Sequence, residues 1–441
     1  QYVRILQGRS SRKRPYEPSP NPGMNILPKS FLESLSFRDF RWMWAGSFSS
    51  FLAMNMQMIT RGWLVLRVSG DSPLALALVT LSFAIPMTIV SPFAGVLADR
   101  ISRKNIVIWS QLGNAILTFM LGLLDFSDVV TFWQIMTIGI FNGTLMACNM
   151  PSRQALISDI VPDNKLMNAI SLNNSSMNLT RIAGPALAGF LILFMNTSGV
   201  LFLVSGIYLM SALTMLMINY KKPSGSSERS SVVNDIIDAV NHATRSPNLR
   251  GLLIMSFVPV LFGFSYYSLM PAWGREALNI QSDGLGILMM LMGVGATIGT
   301  ITLATMGNTG RRGIFMLVSC GFWGIMLATF SQMNTFLLAM PFLILMGVAS
   351  SFYMSLNMTM IQLQSDPHMR GRMMSISMMT FGLMPLSAVP FGVIAELIGT
   401  PNSLAIRCKV VSLTSTSSIT SPTNRFLECH SPSERRSRST P

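Results

Sequence analysis

Apolar residues run through this chain in blocks too long for a soluble core. Pro73 to Ala94 is almost free of charge, and Asn105 to Leu124 follows a short charged turn. An apolar run of about 20 residues crosses a bilayer as a helix. On that measure spanning helices are expected near 42–66, 73–97, 105–124 and 132–150, with a fifth after 168. More follow near 200–218, 252–272, 284–306, 313–330, 335–360 and 373–398. The chain therefore reads as an all-α, polytopic membrane bundle with about eleven visible spans. Gly139 and Gly143 make a small-residue face on the fourth helix, and Gly293, Gly295 and Gly299 one on the eighth.

The polar stretches set the organisation. Residues 1–36 form a polar cytoplasmic segment, ending in an amphipathic entry at Leu35 to Arg41. Residues 37–219 make a six-helix half, and 220–250 a cytoplasmic linker. In the linker Val232, Val233, Ile236, Ile237 and Val240 recur at helical spacing, which predicts a surface helix. Residues 251–404 repeat the plan with helices seven to eleven. Placing Pro162 over Pro367 without gaps also places Pro185 over Pro390, a parallel internal repeat. A twelfth helix is missing. Residues 405–441 are Ser/Thr-rich and basic, read as a disordered tail, and the sequence after about Leu404 is expected not to be the ancestral end.

Composition agrees. The 441 residues are 50% hydrophobic and 11% charged, with mean hydropathy +0.47. Soluble domains carry about 25% charged residues. The net charge of +14 gathers at the two ends and in alternate loops, as the positive-inside rule demands, so nucleic acid is not the expected partner. The same rule puts the N-terminus in the cytoplasm. Asp125 and Asp128 fall in a short acidic loop expected outside. No apolar signal core precedes Met24, which is either the start of translation or part of a polar tail opening at Gln1. Cys148 and Cys320 lie in apolar runs and Cys408 and Cys429 in the tail, without disulfide or metal spacing.

Gly95-Val96-Leu97-Ala98-Asp99-Arg100-Ile101-Ser102-Arg103-Lys104 is the charged turn between helices two and three. It resembles the signature loop of the major facilitator superfamily, matching at Gly95, Leu97, Asp99, Arg100, Arg103 and Lys104 and departing at Ser102. A second segment is more specific. Pro151-Ser152-Arg153-Gln154-Ala155-Leu156, then Asn168-Ala169-Ile170, then Arg181 with Gly184-Pro185-Ala186-Leu187-Ala188-Gly189, resembles the enterobactin-exporter and macrolide-efflux-like branch. There the first piece is a loop and the last a turn, so Gly184, Pro185, Gly189 and Pro390 are expected to kink their helices. Asn142-Gly143 resembles part of a further superfamily motif. Gly139 stands where that motif has arginine, so a proton role for that arginine does not carry over.

The resemblance implies a major facilitator fold, alternating access and a conformational latch at Gly95, Asp99, Arg100, Arg103 and Lys104. Asp99 could instead only cap a helix and fix topology. Arg181, a cation inside an apolar helix, faces the bundle interior or a cavity. It either binds an anionic or catechol-like substrate or hydrogen-bonds across helices. Asn174, Asn178, Asn55, Gln57 and Arg61 are the other cavity candidates, although Arg61 more simply snorkels outward. Asp99 and Glu396 are the acids available for proton coupling, which rests on the resemblance. Met and Phe side chains suit bulky amphiphiles. His242, His368 and His430 lie in loops or tails, and no catalytic set, nucleotide loop or metal cluster stands out, so neither enzyme nor cofactor is expected. The expectation is a monomeric, proton-driven exporter of small siderophore- or drug-like molecules in the bacterial inner membrane. The alternatives are an importer of the same fold, or a non-transporting protein lacking its last helix.

Overall fold

The computed structural model describes residues 33–219, 241, 244, 247–264, 266–305, 312–365 and 387–406. Among them the ordered elements are all helical. After a 3₁₀ turn at Glu33–Ser36 come α1 (Arg38–Ser69), α2 (Pro73–Arg100), α3 (Arg103–Phe126), α4 (Phe132–Ile160) and α5 (Asp163–Leu216). Next is α6 (Pro247–Val258), which runs through a π-helical turn at Pro259–Phe264, and then α7 (Tyr266–Leu278). The rest are α8 (Ser282–Thr305), α9 (Arg312–Ser331), α10 (Phe336–Gln364) and α11 (Ser387–Ile398). Six described helices are long and apolar enough to cross a membrane, against about eleven expected spans. Part of the difference is that two expected spans join in α5, while another is divided between α6, the π turn and α7. The linker helix and the tail after Leu404 fall largely outside the described residues.

Local chemistry explains the boundaries. Gly70 ends α1 in the left-handed region at φ 65°, and Asp71 follows at φ 66°. The Asp71 N–H closes the end on the Leu66 carbonyl at 2.9 Å. Two expected breaks stay helical. Pro151 lies inside α4, so Asn149 to Leu156 is not a loop. The proline removes one backbone donor, but Arg153 pins the next turn to α1 (below). Likewise Gly184 to Gly189 continues as helix in α5, and the non-helical dihedrals come at Asn196 (φ 56°, ψ −178°). Gly184 and Gly189 serve contact instead: Gly184 faces Asn55 of α1, and Gly189 faces Gly286 of α8. Pro390 lies within α11.

Small residues set the crossings. A side chain at Gly143 would run into the Phe83 backbone of α2, so α2 and α4 meet backbone to backbone. The second half repeats this. Gly295 of α8 meets the Ile344 backbone of α10, and Gly347 of α10 meets the Met292 carbonyl. The halves join where α5 lies on α8, through Gly189 with Gly286 and Ile182 with Gly293. They join again where Gly392 of α11 packs on Leu74 and Ala77 of α2.

The two ends of the bundle differ in charge. The α2–α3 and α4–α5 turns lie at a basic end with Arg103, Lys104, Lys165 and Arg312. The opposite, far end carries Asp71, Asp125, Asp128, Glu276, Asp283 and Glu396, with Arg67 and Arg275 among them. Asp125 is not in a loop. It sits buried in the last turn of α3, where Arg67 of α1 and Thr197 of α5 both donate to it.

Candidate functional site

The first half encloses a polar network built from its own helices. In α1, Gln57 and Arg61 lie one turn apart and both are buried. The Arg61 Nη2 donates to Asn142 Oδ1 of α4 at 2.6 Å. Gln57 Nε2 donates to Thr118 Oγ1 of α3 at 2.9 Å and reaches Asn142 Oδ1 at 3.4 Å. The Tyr208 hydroxyl of α5 donates to Gln57 Oε1 at 3.0 Å. Asn142 Nδ2 then donates to Asn114 Oδ1 at 2.8 Å. Arg61 therefore does not snorkel. Asn142 gives its guanidinium a partner inside, beside glycine where there is room: Nη1 lies 3.8 Å from where a Gly139 side chain would begin.

A second buried guanidinium stands nearer the basic end. Arg153 Nη1 donates to Ser47 Oγ of α1 at 2.8 Å, and Nε to Asn149 Oδ1 at 3.3 Å. The group lies 5.9 Å from the Phe51 ring centroid. Neither arginine ion-pairs with a carboxylate among the described residues. Arg61 Nε and Arg153 Nη2 have no hydrogen-bond partner. A buried cation without a counter-charge is costly, so such groups are retained for more than stability.

Of the residues expected to form a latch, Arg103 and Lys104 have described side chains. The side chains of Gly95, Asp99 and Arg100 lie outside the described residues. Arg103 binds Asp159 of α4 at 2.8 and 2.9 Å. Lys104 caps α5, donating to the Leu216 and Ile218 carbonyls at 3.1 and 2.6 Å. These contacts brace the first half internally rather than joining it to the second.

Polar bridges between the halves occur at the far end. Arg275 of α7 pairs with Asp71 at 2.9 Å and stacks on Trp63 of α1 at 5.3 Å. Ser72 donates to Glu396 of α11 at 2.7 Å. Glu396 is thus an exposed clasp residue at the far end, not a midplane acid.

On α5, Asn174, Asn178 and Arg181 follow at helical spacing. Asn174 and Arg181 are exposed and Asn178 half-buried. Further along α5 the exposed side chains are Leu187, Phe190 and Phe194. One helix thus presents a polar stretch and then an apolar one. Arg181 lies within electrostatic reach of Tyr267 in α7 of the second half. Asn55 turns back to its own helix, with Nδ2 on the Phe51 carbonyl at 2.8 Å.

Comparison with known proteins decides the family. Transmembrane secretion effectors match residues 29–436. The chain belongs to that family, within the major facilitator superfamily. It is 25% identical over 371 residues to the staphyloferrin A transporter of Staphylococcus aureus, covering 83% of this chain and 92% of the relative. It is 22% identical over 366 residues to macrolide efflux protein A of Streptococcus pyogenes, covering 82% and 90%. In structure it is similar to a mutant of the nucleoside transporter NupG, with TM-score 0.72 at 13% identity, over 86% of this chain and 98% of that one. It is therefore a multi-pass membrane transporter and not an enzyme.

Sequence reasoning grouped Asn55, Gln57, Arg61, Asn174, Asn178 and Arg181 as one cavity. The transporter separates them into a buried network on α1 and an exposed face on α5, with Asn55 turned to its own helix. It missed Arg153, Asn142, Asn114 and Tyr208 as network members. A signal was present: Asn114, Asn142 and Arg153 are polar residues inside apolar runs. The Asp71–Arg275 bridge carried no such signal, because both residues fall between the apolar runs, where charge is ordinary.

Proposed function

We propose that this transporter is a proton-driven exporter of small amphiphilic molecules, siderophore- or drug-like, in the bacterial plasma membrane. Residues 37–219 and 251–404 act as two halves that rock about a central site, joined by the 220–250 linker. The N-terminus and the basic end face the cytoplasm, in keeping with the charge asymmetry. The transporter works as a monomer. One observation carries the reading: a polar face of Asn174, Asn178 and Arg181 within a membrane-length helix, with Arg181 in electrostatic reach of Tyr267 in the other half. A cation at that depth needs water or a polar ligand beside it, not lipid. Staphyloferrin A and macrolides, the cargoes in the relatives' names, are the models for the substrate class.

Alternating access then has a physical basis. The clasp at Asp71, Ser72, Arg275 and Glu396 closes the far end while cargo enters from the basic end. Asp99 and Glu396, one at each end, are the carboxylates for proton coupling, and the turn from Gly95 to Lys104 is the latch of the opposite state. The test is accumulation of fluorescent amphiphiles in exporter-deficient cells expressing the full chain. Expression should lower accumulation, and both a protonophore and Asp99→Asn should abolish the difference. Export that survives the protonophore would remove the proton from the reading. Raised accumulation would reverse its direction.

A further inference from the structure

The charges within the spans do not balance. Among the described residues the acids of the helices and the turns between them fall at the two ends of the bundle: Asp71, Asp125, Asp128, Glu276, Asp283 and Glu396 at the far end, and Asp39, Asp99, Asp159 and Asp163 toward the other. The cations go deeper. Arg181 lies eighteen residues from Asp163 and fifteen from the break at Asn196, or about 27 and about 22 Å along the helix. That is the middle of a membrane.

Of Arg61, Arg153 and Arg181, two are occupied. Arg61 is held by Asn142, and Arg153 by Ser47 and Asn149. Both are buried. Arg181 is exposed and donates no hydrogen bond among the described residues. Its neighbours along the face, Asn174 and Asn178, carry amide donors. Tyr267 of α7, with a further hydroxyl, lies within its electrostatic reach. Donors and a cation converge there with no protein carboxylate in the middle of the span. An arginine fork suits carboxylate, sulfonate or phosphate oxygens, which it binds through two parallel hydrogen bonds.

We propose that the cargo is an organic anion, bound through its acidic group by Arg181, and that its negative charge crosses the membrane with it. The proposal rests on the export reading above and adds the charge of the cargo and a direct dependence on membrane potential. An inside-negative potential then expels cargo. One charge across 100 mV corresponds to a concentration ratio of roughly 50-fold at equilibrium.

The test uses the purified full chain in liposomes, with equal pH on both sides and a potassium diffusion potential set by valinomycin. The probes are 2-naphthalenesulfonate, a permanent anion, and 2-naphthalenesulfonamide, its neutral analogue. Sulfonate efflux should rise with inside-negative potential and fall when its sign is reversed, while sulfonamide flux ignores the potential. Arg181→Gln should cut sulfonate flux at least tenfold and leave sulfonamide flux within twofold, and Arg181→Lys should keep part of the sulfonate flux. Protein-dependent sulfonamide flux without sulfonate flux would overturn the anion proposal and leave the export reading standing. So would sulfonate flux indifferent to potential and to Arg181→Gln. Flux of neither probe would count against both.

Discussion

The two halves of this transporter share a frame and fill it differently. Each has a glycine crossing where backbones touch, α2 on α4 in the first and α8 on α10 in the second. Inside the first lie Gln57, Arg61, Asn114, Asn142, Arg153 and Tyr208. Inside the second lie Trp273, Trp323, Tyr266, Tyr353 and Phe330, all fully buried. No charged residue occurs from Gly284 to Met306 or from Gly313 to Gln364. Its buried polar groups find single partners, as when Asn357 donates to Ser256 at 2.5 Å or the Trp273 indole to the Ser331 carbonyl at 3.1 Å. The second half is thus packed for stability by shape. The first gives up some of that to hold fixed donors and cations. On the function proposed above, the polar half would supply recognition and the apolar half a wall for a bulky cargo.

The sharpest break of this comparison is in stability. Trp323→Ala empties a fully buried site and should cost about 3–5 kcal/mol. Arg61→Met removes a cation as well as its hydrogen bond, and the relief from burying charge offsets much of the loss, leaving about 1–2 kcal/mol. Thermal unfolding of the purified proteins in one detergent reads both. If the arginine variant loses as much as the tryptophan variant, the first half is not trading stability for chemistry. Transport should respond in the reverse proportion, with export falling further for Arg61→Met than its stability loss predicts.

The shared frame makes the second prediction. Gly143→Val and Gly295→Val each push a branched side chain into a facing backbone, and each should cost about 1–3 kcal/mol by overpacking. Unfolding of the two variants should move together. A large effect in one half alone would mean that the crossings are not equivalent.

Much of this frame was legible in the chain. Long uncharged runs forced membrane-length helices, and small residues at 139, 143, 293, 295 and 299 marked surfaces where backbones approach. Proline misled once. Pro151 belongs to a stretch that reads as a loop, yet it lies inside α4, where Ser47 grips Arg153 in the next turn; Pro185, read as a kink, lies inside α5, where Asn55 lies against Gly184. The site was legible as a set of unusual residues but not as an arrangement. A polar residue in an apolar run announces that it avoids lipid, and does not say whether it turns to a neighbour, as Arg61 does, or to open space, as Arg181 does. The far-end bridge was invisible because nothing in a loop sequence pairs Asp71 with a residue two hundred positions away.

That bridge gives the smallest energetic effect and the most specific functional one. Arg275 and Asp71 are 39% and 49% exposed, so Asp71→Asn should change overall stability by less than about 1 kcal/mol. The same energy acts differently on the balance between two open states, where about 1 kcal/mol shifts populations roughly fivefold. Ala77 is fully buried under Gly392, where α2 meets α11. A cysteine at Ala77 should react slowly with a membrane-impermeant maleimide added to intact cells while the clasp is closed. Asp71→Asn should speed that labelling several-fold, and Arg275→Ala further, because it also removes the stack on Trp63. Exchanging the charges with Asp71→Arg and Arg275→Asp should slow it again. Glu396→Gln should do least, since an amide oxygen still accepts the Ser72 hydroxyl. Labelling that ignores all four changes would make the bridge a surface contact and leave the glycine packing of α2 on α11 and α5 on α8 as what closes this end. The halves would then differ in what they bury and be held together by the frame they share.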